Sequence, residues 1–314
     1  MDEKISKFYN QYRHGNIGRR DFLRKLSLYA GGTAAAMALI PVLEKSYLRA
    51  SVLPGIFPDP VQSRGKGFTG NPSNPPGMVQ DDTGLVTGFI NYPGATGDVR
   101  AYMARPKAER RYPAVIVIHE NRGLQPHIMD VNRRMAREGF LSLAPDALSP
   151  LGGTPEDDDI TKALQMNREL DYDHAVKNFV AAVKYLETHP LSNGNVGCTG
   201  FCWGGAMTNQ VAVNAPSLKA AVPYYGSVPP AERVPEIEAA IMAHYASDDA
   251  RINDGIKGFE EALKKAGKEY RIHIYEGTQH AFNNDTNPDR YHPEAAKLAW
   301  ERTVAFFKEK LEPG

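Results

Sequence analysis

Asn195-Val196-Gly197-Cys198-Thr199-Gly200-Phe201-Cys202-Trp203-Gly204-Gly205 is the stretch on which the reading of this chain turns. Asn195 to Thr199 reads as a short strand, the glycines at 200 and 204 mark a tight turn, and a helix begins near Trp203. A strand that bends sharply into a helix, with a nucleophilic side chain between two small residues, is the nucleophile elbow Gly-x-Ser-x-Gly, here with Cys202 in the serine position. The nucleophile of such a bend is strained, so the residues two before and two after it must be small, as Gly200 and Gly204 are. The bend points the sulfur away from the sheet. It also sets the Trp203 N–H at a helix N-terminus, where partial positive charge favours a thiolate and a developing oxyanion. The plainer alternative is a buried cysteine in a Gly-rich turn. Cys198 lies inside the strand and is assigned to the core.

Outward from this elbow, strands and helices alternate. Leu85 to Ile90 and Val99 to Ala104 read as short strands around a Gly94–Gly97 turn. Pro113 to His119 is a continuous apolar run, as expected of a strand covered on both faces. A helix carries Ile128, Val131 and Met135 at helical spacing, and Phe140 to Ala144 is the next buried strand. After an acidic loop, Glu156 to Asp159, one long helix is expected, with Ala175, Val176, Phe179, Val180, Val183 and Leu186 as its apolar stripe. Ala220 to Tyr224, Ala240 to Tyr245 and Tyr270 to Tyr275 are strands; Ile256 to Ala266 and Glu294 to Leu311 are helices. This alternation predicts a mainly parallel sheet with helices on both faces, whose active site lies at the carboxyl ends of the strands.

The residues just past those strand ends supply partners for Cys202 in the order nucleophile, acid, histidine. Asp248 and Asp249 follow the Ala240–Tyr245 strand. Asp249, three residues before the apolar Ile252, is preferred as the acid, although an aspartate here serves equally well as a helix N-cap. His280, in the loop beyond the Tyr270–Tyr275 strand, alone of nine histidines has both the order and the topology. His292 is the runner-up, and His273, alternating with Ile272 and Ile274, reads as structural. The oxyanion is assigned to the N–H groups of Trp203 and Asn121. Glu120, immediately past a buried strand, is either part of the site or a solvated loop acid.

Composition bounds the rest. The chain has 314 residues with 37 Lys+Arg against 37 Asp+Glu, 24% charged and 42% hydrophobic. That balance argues against a nucleic-acid binder with a basic face and against a polybasic membrane module. Two cysteines are too few for a disulfide scaffold or a four-thiolate zinc site. Residues 1–50 read as a leader: Arg19-Arg20-Asp21-Phe22-Leu23 precedes an uncharged run from Leu26 to Leu43, resembling a bacterial twin-arginine export signal. The alternatives are an amphipathic helix or a membrane anchor, and no clean cleavage site marks removal. Export would make the twin-arginine machinery a partner and the periplasm the destination, with a tether if the leader is retained. Residues 51–83 form a Pro/Gly-rich arm, and 84–314 the main domain.

Taken together, Val117-Ile118-His119-Glu120-Asn121-Arg122-Gly123, the elbow, Tyr224-Tyr225-Gly226 and Gly277-Thr278-Gln279-His280-Ala281-Phe282 resemble the dienelactone hydrolase (carboxymethylenebutenolidase) family over roughly residues 84 to 311. The resemblance implies an α/β-hydrolase fold, no cofactor or metal, and hydrolysis of a small-molecule lactone or ester by a Cys202–His280–Asp249 triad. It also implies that Glu120 pairs with the resting nucleophile and helps form the thiolate when substrate binds. The family's dienelactone-cleaving members bind the substrate carboxylate with arginines; one of those positions is Asn284 here. Arg122 or Arg251, both in loops near the expected site, is a candidate replacement. A non-catalytic binding protein on the same scaffold is the competing reading. A redox pair of Cys198 and Cys202 is a third, disfavoured by placing one in mid-strand and the other on the elbow.

Overall fold

A computed structural model of the chain describes residues 84–155 and 159–312, together with Arg24, Leu26 and Leu28. Two units are distinguished, Met1–Gly65 and Lys66–Gly314. In the first, the three described residues are helical; the remainder of the leader and the Pro/Gly arm lie outside the described residues. Among the described residues no helix is long and apolar enough to cross a membrane.

The second unit is built on one eight-stranded sheet. Its strands are β1 (Leu85–Gly94), β2 (Gly97–Pro106), β3 (Tyr112–Ile118), β4 (Leu141–Pro145), β5 (Ser192–Phe201), β6 (Ala220–Tyr224), β7 (Ala240–Asp248) and β8 (Tyr270–Gln279). The order across the sheet is β1-β2-β4-β3-β5-β6-β7-β8. β1 and β2 form an antiparallel hairpin closed at Gly94 and Gly97, and β2 joins β4 antiparallel. From β4 to β8 every pairing is parallel. The helices are α1 (Pro126–Arg137), α2 (Ile160–Glu169), α3 (Tyr172–Glu187), α4 (Trp203–Asn214), α5 (Ala250–Asn253), α6 (Ile256–Lys265) and α7 (Pro293–Leu311). This is the α/β-hydrolase fold, a mainly parallel sheet with helices on both faces, as expected.

Strand periodicity sorts the core into two layers. Ala114, Ile116 and Ile118 of β3, with Cys198, Ala221, Ile241 and Ala243, face Phe179 and Val183 of α3, Val211 of α4 and Phe259 of α6. The alternate residues Val115, Val117, Val222 and Met242 face Ile128, Val131 and Met135 of α1 and Ala299, Phe306 and Phe307 of α7. β3 is buried along its whole length, which explains its unbroken apolar run. The expected long helix after the acidic loop is two helices. Leu170 is extended, and the Asp171 carboxylate accepts the His174 N–H at 2.9 Å, so a capping residue restarts the chain one turn before the stripe.

Candidate active site

Sheet register delivers the site. Ile118 pairs with Gly200, Phe201 with Tyr224, and Asp248 with Gln279. The residues that follow these pairs, namely His119 and Glu120, Cys202, Tyr225, Asp249 and His280, therefore leave the sheet along one edge.

Cys202 sits at φ 58°, ψ −115°, a conformation that L-residues rarely adopt, and stands at the N-cap of α4. Its N–H donates to Tyr224 O at 3.1 Å and its carbonyl accepts from Ala206 N at 3.1 Å, so both sides of the bend are held. The flanking glycines are required by close approach. A Cβ on Gly200 would lie 2.3 Å from Gly204 O, and one on Gly204 would lie 2.4 Å from His119 O. Cys198 is fully buried, 3.8 Å from the Thr208 hydroxyl, and burial pushes its thiol up to about 12. Both cysteines are free thiols.

Asp249 Oδ2 lies 2.5 Å from His280 Nδ1. Asp249 occupies the N-cap position of α5 but makes no capping bond with its side chain, which is turned to the imidazole instead. Asp248, the last residue of β7, is exposed. Its pairing with Gln279 explains the preference: the first residues beyond the paired ends are the ones that meet. His292, by contrast, caps α7, accepting the Ala295 N–H at Nδ1 at 3.3 Å, and His273 stacks on His244 within the sheet.

The Cys202 thiol is pushed up to about 11, first by burial and next by the Glu120 carboxylate. The Trp203 N–H and the Arg251 charge oppose this, and the Asp249 charge adds to it. The helix N-terminus thus acts on the sulfur in the expected direction but loses to desolvation, so the resting thiol is neutral at pH 7. Tyr225, at φ 35° and fully buried, places its ring 4.8 Å from that of His280 and donates its hydroxyl hydrogen bond to Asn283 Oδ1. Asn284 Nδ2 donates to Glu120 Oε2 at 3.4 Å. The Thr286 N–H occupies Asn284 Oδ1 at 3.0 Å, which fixes the amide with its nitrogen toward Glu120. The position where the resemblance anticipated an arginine therefore holds a neutral donor on the site glutamate.

Of the two candidate arginines, both are exposed, and the Arg251 charge lowers the Cys202 thiol. Arg122 contributes its backbone carbonyl to the Gln125 side chain. The sequence does not single out Asn283 and offers Tyr225 only within a motif; their positions past the ends of β6 and β8 are the available signal. A cavity of about 160 Å³ lies between α1 and α7, walled by Val131, Tyr224, Asn283, Tyr291 and Trp300; Cys202, Asp249 and His280 do not line it.

A sequence model of the dienelactone hydrolase family matches residues 99–311. The chain is 32% identical over 244 residues to a candidate carboxymethylenebutenolidase of Escherichia coli (strain K12), covering 73% of this chain and 89% of that protein. It is 32% identical over 232 residues to a Bradyrhizobium protein named as a candidate 2-oxo-3-(5-oxofuran-2-ylidene)propanoate lactonase, covering 68% of this chain and 91% of the other. Among solved structures, a candidate dienelactone hydrolase from Klebsiella pneumoniae superposes with a TM-score of 0.66 at 30% identity, covering 72% of this chain and 99% of that one.

Proposed function

The chain belongs to the dienelactone hydrolase family and is a carboxylic ester hydrolase, and from that premise we propose that it cleaves a lactone or ester through the Cys202 thiol. The observation that carries this reading is a strained cysteine on the elbow beside a histidine whose Nδ1 is held 2.5 Å from a carboxylate. In this mechanism the S–H bond breaks as Sγ adds to the substrate carbonyl carbon. The proton passes to His280 Nε2, against the resting influence of the Glu120 charge on the thiol, and the carbonyl electron pair moves onto oxygen. Asp249 fixes the imidazole tautomer and steadies the imidazolium. The oxyanion meets the N–H groups of Asn121 and Trp203, one such donor being worth roughly 2.7–4 kcal/mol in other oxyanion holes. The intermediate collapses with loss of the alkoxide, which takes the proton from His280. Water then cleaves the acyl-thioester and frees the acid.

Because desolvation keeps the resting thiol neutral, activation is coupled to substrate occupancy. Arg251, the cation felt at the sulfur, is the group we assign to an anionic substituent of the substrate; the lactone for which the Bradyrhizobium relative is named bears a carboxylate and fits this assignment. The test is a panel of aryl esters and lactones, neutral and anionic, run on wild type, Cys202→Ala and Arg251→Ala. Cys202→Ala should fold and lose activity. Arg251→Ala should raise KM for anionic substrates alone. Turnover persisting after clean alkylation of Cys202 would falsify the thiol mechanism.

We further propose export by the twin-arginine route, supported by Arg19-Arg20 ahead of an uncharged run. Replacing both arginines by lysine should leave the protein in the cytoplasm on cell fractionation; unchanged periplasmic delivery removes the proposal.

A further inference from the structure

His119 ends the apolar run of β3 and is fully buried, yet the mechanism above gives it no task. Its hydrogen bonds define its tautomer. The Ala147 backbone N–H points at Nε2 from 3.0 Å, and since that group only donates, Nε2 must accept. Nδ1 therefore carries the hydrogen, and it lies 2.6 Å from the Glu120 carbonyl oxygen. Burial is the main influence on this imidazole and lowers its proton affinity, more than offsetting the opposing Asp146 charge and the Glu120 carbonyl, which keeps the ring neutral with one donor and one acceptor.

The Glu120 carbonyl belongs to the same rigid peptide plane as the Asn121 N–H. Whatever holds that oxygen also aims that N–H. One face of the same imidazole lies against the Trp203 indole, with ring centroids 5.5 Å apart and planes 15° apart. One buried ring thus touches the peptide plane that bears the Asn121 N–H and the side chain of Trp203, whose N–H is the second donor assigned to the oxyanion. The ring is itself anchored from a second loop. Asp146 accepts the Leu148 N–H at 3.0 Å and the Thr154 N–H at 2.7 Å, which shapes the turn that presents Ala147. The Thr154 hydroxyl donates to Asp146 at 2.8 Å and accepts the Leu124 N–H at 2.8 Å, tying this turn to the loop that bears Asn121.

We propose that His119 is the positioning residue of the oxyanion hole, setting the Glu120–Asn121 peptide plane through Nδ1 and the Trp203 end of α4 through ring stacking. The proposal rests on the assignment of Asn121 and Trp203 as oxyanion donors to a Cys202 adduct. His119 itself does not touch substrate.

Three substitutions separate this role from a merely structural one. His119→Phe keeps a stacking ring and loses both hydrogen bonds. His119→Asn keeps a donor near the Nδ1 position, and His119→Gln keeps an acceptor near the Nε2 position. Each is assayed for kcat and KM on an aryl ester, for affinity toward an aryl trifluoromethyl ketone, and for the rate of Cys202 alkylation by iodoacetamide. The ketone forms a hemithioketal: Sγ bonds to carbon, the carbonyl pair moves to oxygen, and the thiol proton passes to His280. Its affinity therefore reads the oxyanion hole, whereas alkylation does not. His119→Phe is expected to lose roughly a hundredfold in kcat and in ketone affinity, with KM and alkylation rate changed less than threefold. His119→Asn should recover much of the loss and His119→Gln little. Ketone affinity within threefold of wild type in folded His119→Phe overturns the proposal. So does rescue by Gln without rescue by Asn, which assigns the residue to Ala147 alone. Should His119→Phe fail to fold, the Asn and Gln pair decides. Failure of the nucleophile assignment shows separately, as full turnover by Cys202→Ala whatever stands at 119.

Discussion

At Cys202 the competition between burial and local donors decides the chemistry. The thiol, pushed up to about 11 by burial and by Glu120, is protonated in the resting protein. Its ordinary value of 9.0 would give roughly a hundredfold more thiolate at neutral pH. Alkylation of Cys202 by iodoacetamide should therefore be slow at pH 8 and accelerate with pH until about 11. Glu120→Gln, which removes the second-largest upward influence, should move that midpoint down. A midpoint below 8 in wild type would contradict the neutral resting thiol. Residue identities at this scale were readable from sequence: Cys202, Asp249 and His280 each follow a strand end in the right order. What stood open was which of two aspartates meets the histidine, and whether Asp249 serves as a cap. The register of β7 against β8 and the uncapped start of α5 resolve both points.

At the scale of elements, the elbow is a crossing of backbones more than a turn motif. Gly204 brings α4 against the end of β3, where an added Cβ would meet Ile118 O at 2.5 Å and His119 O at 2.4 Å. Both obstacles are backbone, so neither can rotate away. Gly204→Ala should cost about 1–3 kcal/mol, as overpacking does, and should lower kcat more than it raises KM, because the shift falls on the helix carrying Trp203. Urea denaturation with parallel kinetics checks this; wild-type values in both would show that the contact relaxes freely. The loop after β8 is held by charge. Asp285 Oδ2 lies 2.6 Å from an Arg134 nitrogen that also reaches Asp130, and His127 stands 3.4 Å from the other Asp285 oxygen. This anchor on α1 holds the segment that carries Asn283 to Tyr225 and Asn284 to Glu120. None of these tertiary partners is visible as a local pattern, since Asp285 and Arg134 are 151 residues apart.

Across the whole molecule, buried neutral histidines link stability to pH. Burial lowers His244 well below its ordinary 6.5 and lowers His119, and partial burial with the Arg105 charge lowers the half-buried His189 as well. Below pH 6.5 the unfolded chain binds protons at these positions while the folded protein does not. Their contribution is therefore complete above about pH 6.5 and is lost as pH falls through the acid range, by about 1.4 kcal/mol per pH unit for each proton taken up on unfolding. The urea midpoint should drop between pH 7.5 and pH 5.5, and His244→Gln should reduce that dependence; equal midpoints at both pH values would contradict it.

The sequence by itself determined the alternation of elements, the two-faced sheet, the elbow and the residues at the strand ends, because apolar periodicity and glycine spacing are local records of burial and close approach. Only the tertiary structure decided that the sulfur rests protonated, that Asn284 holds Glu120, that the Arg251 charge acts on the thiol, and that the long helix breaks at Asp171. The first three are set by desolvation and by distances between residues far apart in the chain. The last is set by a capping carboxylate that competed with helix continuation and won.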